Sequence, residues 1–514
     1  MALTLSPEAY PVFIGLFVIF VILGFLGSRW RKGDLNQLWD WALAGRRLGT
    51  WLAFFLIGAD LYTAYTFVAV PSGMYTSGSL YFFAVPYVAI TFGVALAFAP
   101  RLWTVSRERG YITGSDFVKD QFNSVWLAIL IAITGIVALL PYIALQIVGM
   151  QAVLTTMFET SGVSNANIGG LPLNSGELAL IIAFIILAAF TFTSGLRGAT
   201  LTAIFKDILI WISVVAVILA ALAALGGNFN AAFAAAGAKY QSLAPASEPG
   251  YATLVLGSAL ALYLYPHAIN GVLSAESAHK LRISTSLLCL YGIGLAFLAL
   301  FGVLIFAFPS ALGFVKSFPG TTGGIYVVPA LIIATLPGWL QGVALLGVFI
   351  GGLVPAAIMA IAQANLLTRN VIKEFKPSLT ARGETRIAKW ASAGFKFLAL
   401  AFVFAVPAAY AIQLQLLGGV LILQLLPSVF IGLYTKWFKK EALIVGLLAG
   451  IFAGVFMALE ANNFGQLKTS LFSTPLGGLY IAVIALGLNL LITIVLSAVI
   501  PRRLGQVKPV PQPA

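Results

Sequence analysis

Residues 51–78, WLAFFLIGADLYTAYTFVAVPSGMYTSG, decide how this chain folds. About 20 apolar residues suffice to cross a bilayer, and this segment is longer, yet its middle carries Gly58, Asp60, Tyr62, Thr63, Tyr65, Thr66, Pro71, Ser72 and Gly73. A carboxylate at bilayer depth is costly, and irregular backbone is tolerated there only where protein or a cavity surrounds it. The stretch therefore reads as a broken membrane helix lining a solute site, with freed carbonyls for a cation and freed amides for an anion. A proline kink whose hydroxyls bond the preceding turn is the simpler alternative.

The rest of the chain agrees with a polytopic, all-α membrane protein. Of 514 residues, 61% are hydrophobic and only 9% charged, and mean hydropathy is +1.01, far from the roughly 25% charged of a soluble domain. Apolar spans fall near 8–28, 50–77, 80–100, 124–154, 177–194, 199–226, 253–276, 285–310, 338–368, 390–411, 415–435, 442–461 and 475–500, about thirteen helices in all. The net charge of +13 does not point to nucleic acid, because the basic residues cluster in alternate loops: Arg29 to Lys32 with Arg46 and Arg47, then Arg101 to Lys119, Arg197, Lys280 with Arg282, Arg369 to Lys389, Lys436 to Lys440, and Arg502 with Arg503. Intervening loops hold Lys239, Lys316 and Lys468. That asymmetry orients a cell-membrane protein with its N-terminus outside and its C-terminus cytoplasmic. MALTLSPEAY lacks the positive region of a cleaved signal, Cys289 is the sole cysteine, and the basic, proline-rich end reads as a disordered tail.

Catalytic constellations are not evident. Only His267 and His279 are present, without H-E-x-x-H, G-x-S-x-G or a phosphate-binding loop, so an enzyme is not expected and neither is a cofactor. A channel would need a continuous polar stripe, and a sensor an appended domain. Polarity is instead concentrated in two places. The seventh span, LYLYPHAINGVLSAES, sets Pro266, His267, Asn270 and Gly271 in an apolar helix, and proline removes an amide and frees a carbonyl one turn back. Two breaks five spans apart, entered from opposite sides, are what an inverted repeat of five plus five helices produces. The expected division is 1–49, a peripheral first helix and loop; 50–226, the first repeat; 227–435, the second repeat; and 436–514, two peripheral helices and a tail.

The stretches TAYTFVAVPSGMYTSG (63–78), PYIALQIVG (141–149), SGLRG (194–198) and PAAIMAIAQANLLTRNVIKEF (355–375) together resemble the sodium:solute symporter family, most of all its bacterial monocarboxylate permeases. The likeness runs over about residues 10 to 500 and rests on order and spacing. It implies a LeuT-type fold, alternating access, and uptake of small carboxylates such as lactate, pyruvate, acetate or propionate. It also implies a sodium site built from carbonyls at the first break, here Ala59 and Tyr62 with Thr63 nearby, from a hydroxyl pair on the ninth span, here Ala360 and Ile361, and from an Asp on the sixth, here Ala203. Three oxygen-bearing side chains are thus missing, and a hard cation wants about five or six oxygens.

One turn beyond Ala203 stand Lys206 and Asp207. An ammonium there fills the cation position, held by the carbonyls of the break and by Asp60, so that protons replace sodium as the coupling ion. Burial eases loss of an ammonium proton and a close carboxylate opposes it. Snorkelling of Lys206 to the surface is the structural alternative. Asp60, Lys206, Asp207 and His267 are the candidate proton carriers. For the solute, one anionic head on a short carbon body, the candidate donors are Thr66, Tyr142, Gln146, Tyr263, His267 and Asn270, with amides at the breaks. Without an arginine clearly inside a span, dicarboxylates and phosphates are disfavoured. Expected partners are a small carboxylate, a proton or sodium, and membrane lipid, with no nucleic acid and no obligate protein partner. The competing functions are sodium-coupled symport of an amino acid or vitamin, and ion-independent facilitated transport.

Overall fold

A computed structural model describes residues 2–31, 33–161, 175–405 and 411–501. Lys32, most of the segment between the expected spans 124–154 and 177–194, Arg502, Arg503 and the proline-rich tail lie outside the described residues. Among the described residues ten helices are long and apolar enough to cross a membrane, or twelve if each of two bent pairs is one span. The thirteen expected from hydropathy are not reproduced as a count. Thr50–Leu61 is too short to cross alone, and the second half of that span runs on into the next as one apolar stretch, Tyr65–Arg109.

The long helices follow the apolar runs. They are α1 (Ala9–Leu26), then a short, largely buried helix α2 (Leu38–Leu43), α3 (Thr50–Leu61), α4 (Val70–Ser77), α5 (Ala84–Arg109), a second short helix α6 (Gly114–Gln121), α7 (Val125–Ser161), α8 (Ser175–Ser194) and α9 (Leu196–Ala224). The second half brings α10 (Glu248–Ala261), α11 (Pro266–Ser274), α12 (Ala278–Leu287), α13 (Cys289–Leu304), α14 (Gly338–Leu366), α15 (Ala381–Ala405), α16 (Ala411–Leu423), α17 (Leu426–Val429), α18 (Lys440–Ala461) and α19 (Ile481–Val499). An antiparallel hairpin, β1 (Leu471–Thr474) and β2 (Gly477–Tyr480), joins the last two, with Leu471 opposite Tyr480.

The centre of the bundle is α14, whose apolar window is wholly buried, as befits a helix that is hydrophobic all round. Its glycines let neighbours approach closely. A Cβ on Gly352 would lie 2.6 Å from the Gln146 carbonyl oxygen of α7, and one on Gly347 would lie 3.1 Å from Ser213 Oγ of α9. By contrast α1 and α15 bury little of their windows and turn isoleucines and phenylalanines outward, as a lipid surface requires. Trp51, Trp126 and Trp339 are exposed near the starts of α3, α7 and α14, where amphipathic rings mark the bilayer interfaces.

Beneath the bundle a buried ion pair fastens α2 to the SGLRG turn. Arg197 donates to Asp40, both fully buried, and Gly45, at φ +69, brings the backbone against the Asp40 carboxylate. Nearby, Arg46 reaches the carbonyls of Ser106 and Tyr111. Burial, and then Arg107, lower its guanidinium to about 10, so it stays charged at neutral pH.

Candidate functional site

The second span is broken where its polar residues stand. Helix α3 ends at Tyr62, whose φ of −86° and ψ of 82° leave the helical region, and the chain resumes through a wide, π-wound turn at Tyr65–Ala69 before α4. Every backbone group freed by a break at this depth needs a partner. Thr66 Oγ1 donates to the Leu61 carbonyl at 2.8 Å, and the Thr63 hydroxyl accepts from the Tyr65 amide at 3.1 Å. The Ala64 amide donates to Gln146 Oε1 at 2.8 Å, while Gln146 Nε2 donates to the Tyr142 carbonyl at 3.1 Å.

Two further carbonyls meet a charge. Lys206 Nζ, from the middle of α9, donates to Ala59 O and Tyr62 O at 2.7 Å each. Asp207 Oδ1 lies 3.4 Å away as an ion-pair partner, so two ammonium protons have carbonyl acceptors and the charge has a neighbouring carboxylate. Lys206 is 0% exposed, which rules out the snorkelling alternative. The ion pair is with Asp207; Asp60, which the sequence suggested as a partner of the ammonium, is near enough to act on it by charge without direct contact, and points Oδ2 toward His267 Nε2 at 3.7 Å. Asp207 is also tied across the bundle, since Tyr291 of α13 donates to its Oδ2 at 2.7 Å, and Tyr62 donates to the Tyr291 carbonyl at 2.7 Å.

These positions do not suit sodium. Ala59 O and Tyr62 O are both engaged by the ammonium, Ala203 and Ala360 contribute only methyl groups, and Ile361 packs against Leu38, Trp41 and Ala364 in a separate apolar cluster. Among the described residues no group of three or more His, Cys, Asp or Glu could hold a metal ion.

The seventh span breaks at Tyr265, an extended residue between α10 with its tight last turn and α11, and the two halves bend by 53°. Pro266 takes the first helical position, where a missing amide costs nothing. His267 lies between rings, 5.5 Å from Tyr142 and 5.3 Å from Tyr265. Neither of its nitrogens has a hydrogen-bond partner, and the same holds for Asp60 Oδ1, the Tyr263 and Tyr65 hydroxyls and Asn270 Nδ2. Buried polar atoms left unpaired cost about 1–3 kcal/mol each, so those of Asp60, Tyr65, Tyr263 and His267 make this region the candidate site for a polar solute. A water-sized cavity of about 10 Å³ lies beside it, lined by Leu61, Tyr62, Thr66, Tyr87, Tyr142 and Leu295 among others.

Of the residues singled out in the sequence, Thr66, Tyr142, Tyr263 and His267 fall around this region. Gln146 is engaged at both ends of its amide, its oxygen by the break and its nitrogen by its own helix. Asn270 lines a different cavity, nearer the basic loops, with Thr113 and Ser115. Sequence reading passed over Tyr87 and Tyr291, ordinary aromatics on apolar helices. It also passed over Lys396, fully buried in α15, whose Nζ donates to Thr191 Oγ1 and Ser392 Oγ at 2.8 and 2.9 Å; a lysine inside the tenth span was the available signal.

No family model matches the chain. It is 39% identical over 511 residues, 98% of its length and 99% of the relative's, to a monocarboxylate transport permease protein of Rhizobium johnstonii. It is 34% identical over 440 residues, 84% of each chain, to the symporter YodF of Bacillus subtilis. Among solved structures, a Na+-coupled sialic acid symporter in a substrate-bound, outward-open state matches with a TM-score of 0.74 over 96% of this chain and 98% of its own, at 14% identity. At that identity the likeness speaks for the LeuT-type fold alone.

Proposed function

Since the chain belongs to the sodium:solute symporter family, in its monocarboxylate permease branch, and is a multi-pass symporter of LeuT-type fold, we propose that it takes up small monocarboxylates such as lactate, pyruvate, acetate or propionate, coupled to protons. The observation that carries the coupling is Lys206 Nζ on Ala59 O and Tyr62 O. These are the carbonyls that the family resemblance gives to sodium, and here a built-in cation bonds both. A proton is then the ion left to drive uptake, with Lys206, Asp207, Asp60 and His267 as the groups that exchange it.

Support for the solute class comes from the site's chemistry and from the name of the 39% identical relative. Neutral donors from Tyr142, Tyr263 and His267 receive one carboxylate, the Thr66 proton being held by the Leu61 carbonyl, and Leu61, Val88, Leu262 and Leu295 wall in a short carbon body. Arg197, the fully buried arginine, is paired with Asp40 away from the breaks, so a bidentate clamp for a second carboxylate is not offered. On this reading residues 50–226 and 227–435 are the two inverted repeats, 1–49 and 436–514 are peripheral, and the basic loops face the cytoplasm.

Labelled lactate or pyruvate uptake into proteoliposomes, with sodium and pH gradients imposed separately, tests this. Accumulation driven by an inward proton gradient, indifferent to sodium and competed by unlabelled acetate or propionate, is expected. Uptake that needs sodium and ignores the pH gradient overturns the coupling. Equilibration without accumulation under either gradient identifies a facilitated carrier, and failure of every monocarboxylate to compete overturns the solute class.

A further inference from the structure

On the basic-loop side the ends of α1 and α8 meet the first turns of α15. Ser194 of α8 donates to the Phe25 carbonyl of α1 at 3.4 Å, and the Phe25 and Phe190 rings meet edge to face at 6.3 Å. On its other flank α8 sets Phe192 against α15, 5.1 Å from the Trp390 ring and 5.7 Å from Lys389 Nζ. Toward the bilayer this surface is apolar, since Phe25 and Leu26 of α1, Ile185 of α8, and Phe397 and Leu398 of α15 are exposed. Trp390 is 63% exposed, at the level where amphipathic rings settle between headgroups and acyl chains.

Toward the loops the same surface turns basic. Arg382, Arg386 and Lys389 of α15 recur at the spacing that stacks side chains on one helix face, and Arg29 follows the end of α1. Arg29, Arg382 and Arg386 are exposed, and among the described residues none of the three forms an ion pair. Of the nearby carboxylates, Glu384 is buried on the opposite face of α15 and held by Arg369 and Lys373. Asp34, exposed, acts by charge on Arg382 and Lys389, so four cations are set against one exposed carboxylate. Orientation in the membrane requires only that such a loop be positive. It does not require unpaired charges from two distant segments to flank one apolar, aromatic-lined surface.

We propose that this surface of α1, α8 and α15 binds an anionic glycerophospholipid, with the headgroup phosphate received by Arg29, Arg386 and Lys389 and the acyl chains lying along Ile185, Phe397 and Leu398. Guanidinium and ammonium groups give a phosphate charge-assisted hydrogen bonds, and basic side chains at a membrane surface draw anionic lipid. The test titrates dioleoylphosphatidylglycerol into the full chain in neutral detergent and follows the thermal midpoint. A saturable rise is expected, with dioleoylphosphatidylcholine and inorganic phosphate giving none. Arg386→Gln combined with Lys389→Gln is expected to raise the half-saturating lipid concentration about thirtyfold, a factor of about five for each charge. Arg386→Lys combined with Lys389→Arg, which keeps both charges, stays near the parent value, as does Lys436→Gln with Lys440→Gln, exposed charges of another basic loop. Should the first pair fail to accumulate, Arg386→Gln alone is expected to weaken binding about fivefold. No rise, or an equal rise with phosphatidylcholine, overturns the headgroup preference; a rise with phosphate alone overturns the lipid; and equal weakening by both neutralised pairs overturns the site. The titration needs neither solute nor coupling ion, so its failure leaves the monocarboxylate reading standing, and the reverse also holds.

Discussion

Lys206 is the residue on which the first break closes. Replacing it with Ala leaves two buried carbonyls unpaired and Asp207 without its cation, at about 1–3 kcal/mol for each orphaned group. We expect Lys206→Ala to lower the thermal midpoint in detergent and to abolish proton-driven accumulation; retention of both would return the side chain to a packing role. Arg197 and Asp40 make a second buried pair with a different task, holding α2 to the turn before α9. Removing either partner strands a buried charge, so Asp40→Ala or Arg197→Ala should each cost about 3–5 kcal/mol, and the double variant clearly less than their sum, as read by thermal unfolding of the purified protein. At this scale the sequence was partly legible. A lysine one turn beyond the place of a missing Asp pointed to the cation position, but the Asp207 contact with Tyr291, the turning of Asp60 toward His267, and the pairing of Arg197 with a residue 157 positions away depend on tertiary contacts that no local pattern encodes.

The breaks themselves were the most readable elements, because polar residues and prolines at bilayer depth are tolerated only where protein or a cavity surrounds them. What the pattern did not show is how each break is held. Gln146 serves as a side-chain cap for the Ala64 amide, and Gln146→Leu should leave that amide unpaired, costing about 1–3 kcal/mol with a matching loss of uptake; unaffected uptake would free Gln146 from this role. Close packing also supports the break. A Cβ on Gly58 would run into the Tyr291 ring, and one on Gly294 into the Tyr62 hydroxyl and Trp211. Overpacking typically costs about 1–3 kcal/mol, so Gly294→Ala should disturb the Tyr62 and Tyr291 contacts and reduce uptake, whereas Gly15→Ala, which meets nothing within 4 Å, should be silent. A further bend of 49°, between residues 415–423 and 426–433, went unread. Pro427 was its only local signal, lying next to an apolar run that looks continuous.

Across the whole molecule, composition and the alternation of basic loops settled the class, and the offset of the two breaks carried the LeuT-type architecture. The number of spans was less legible, because hydropathy runs on across the tight turn between α4 and α5 and cannot separate a broken helix from two short ones. The global consequence of the structure is that a cation belonging to the chain occupies the position where relatives of this fold are expected to bind one from solution. The most direct test is the interior pH of sodium-free proteoliposomes, followed with a trapped dye when pyruvate is added outside, against protein-free liposomes and Lys206→Ala. The account predicts interior acidification beyond that of protein-free liposomes and its loss in the variant. Pyruvate entry that requires sodium and moves no protons would contradict it.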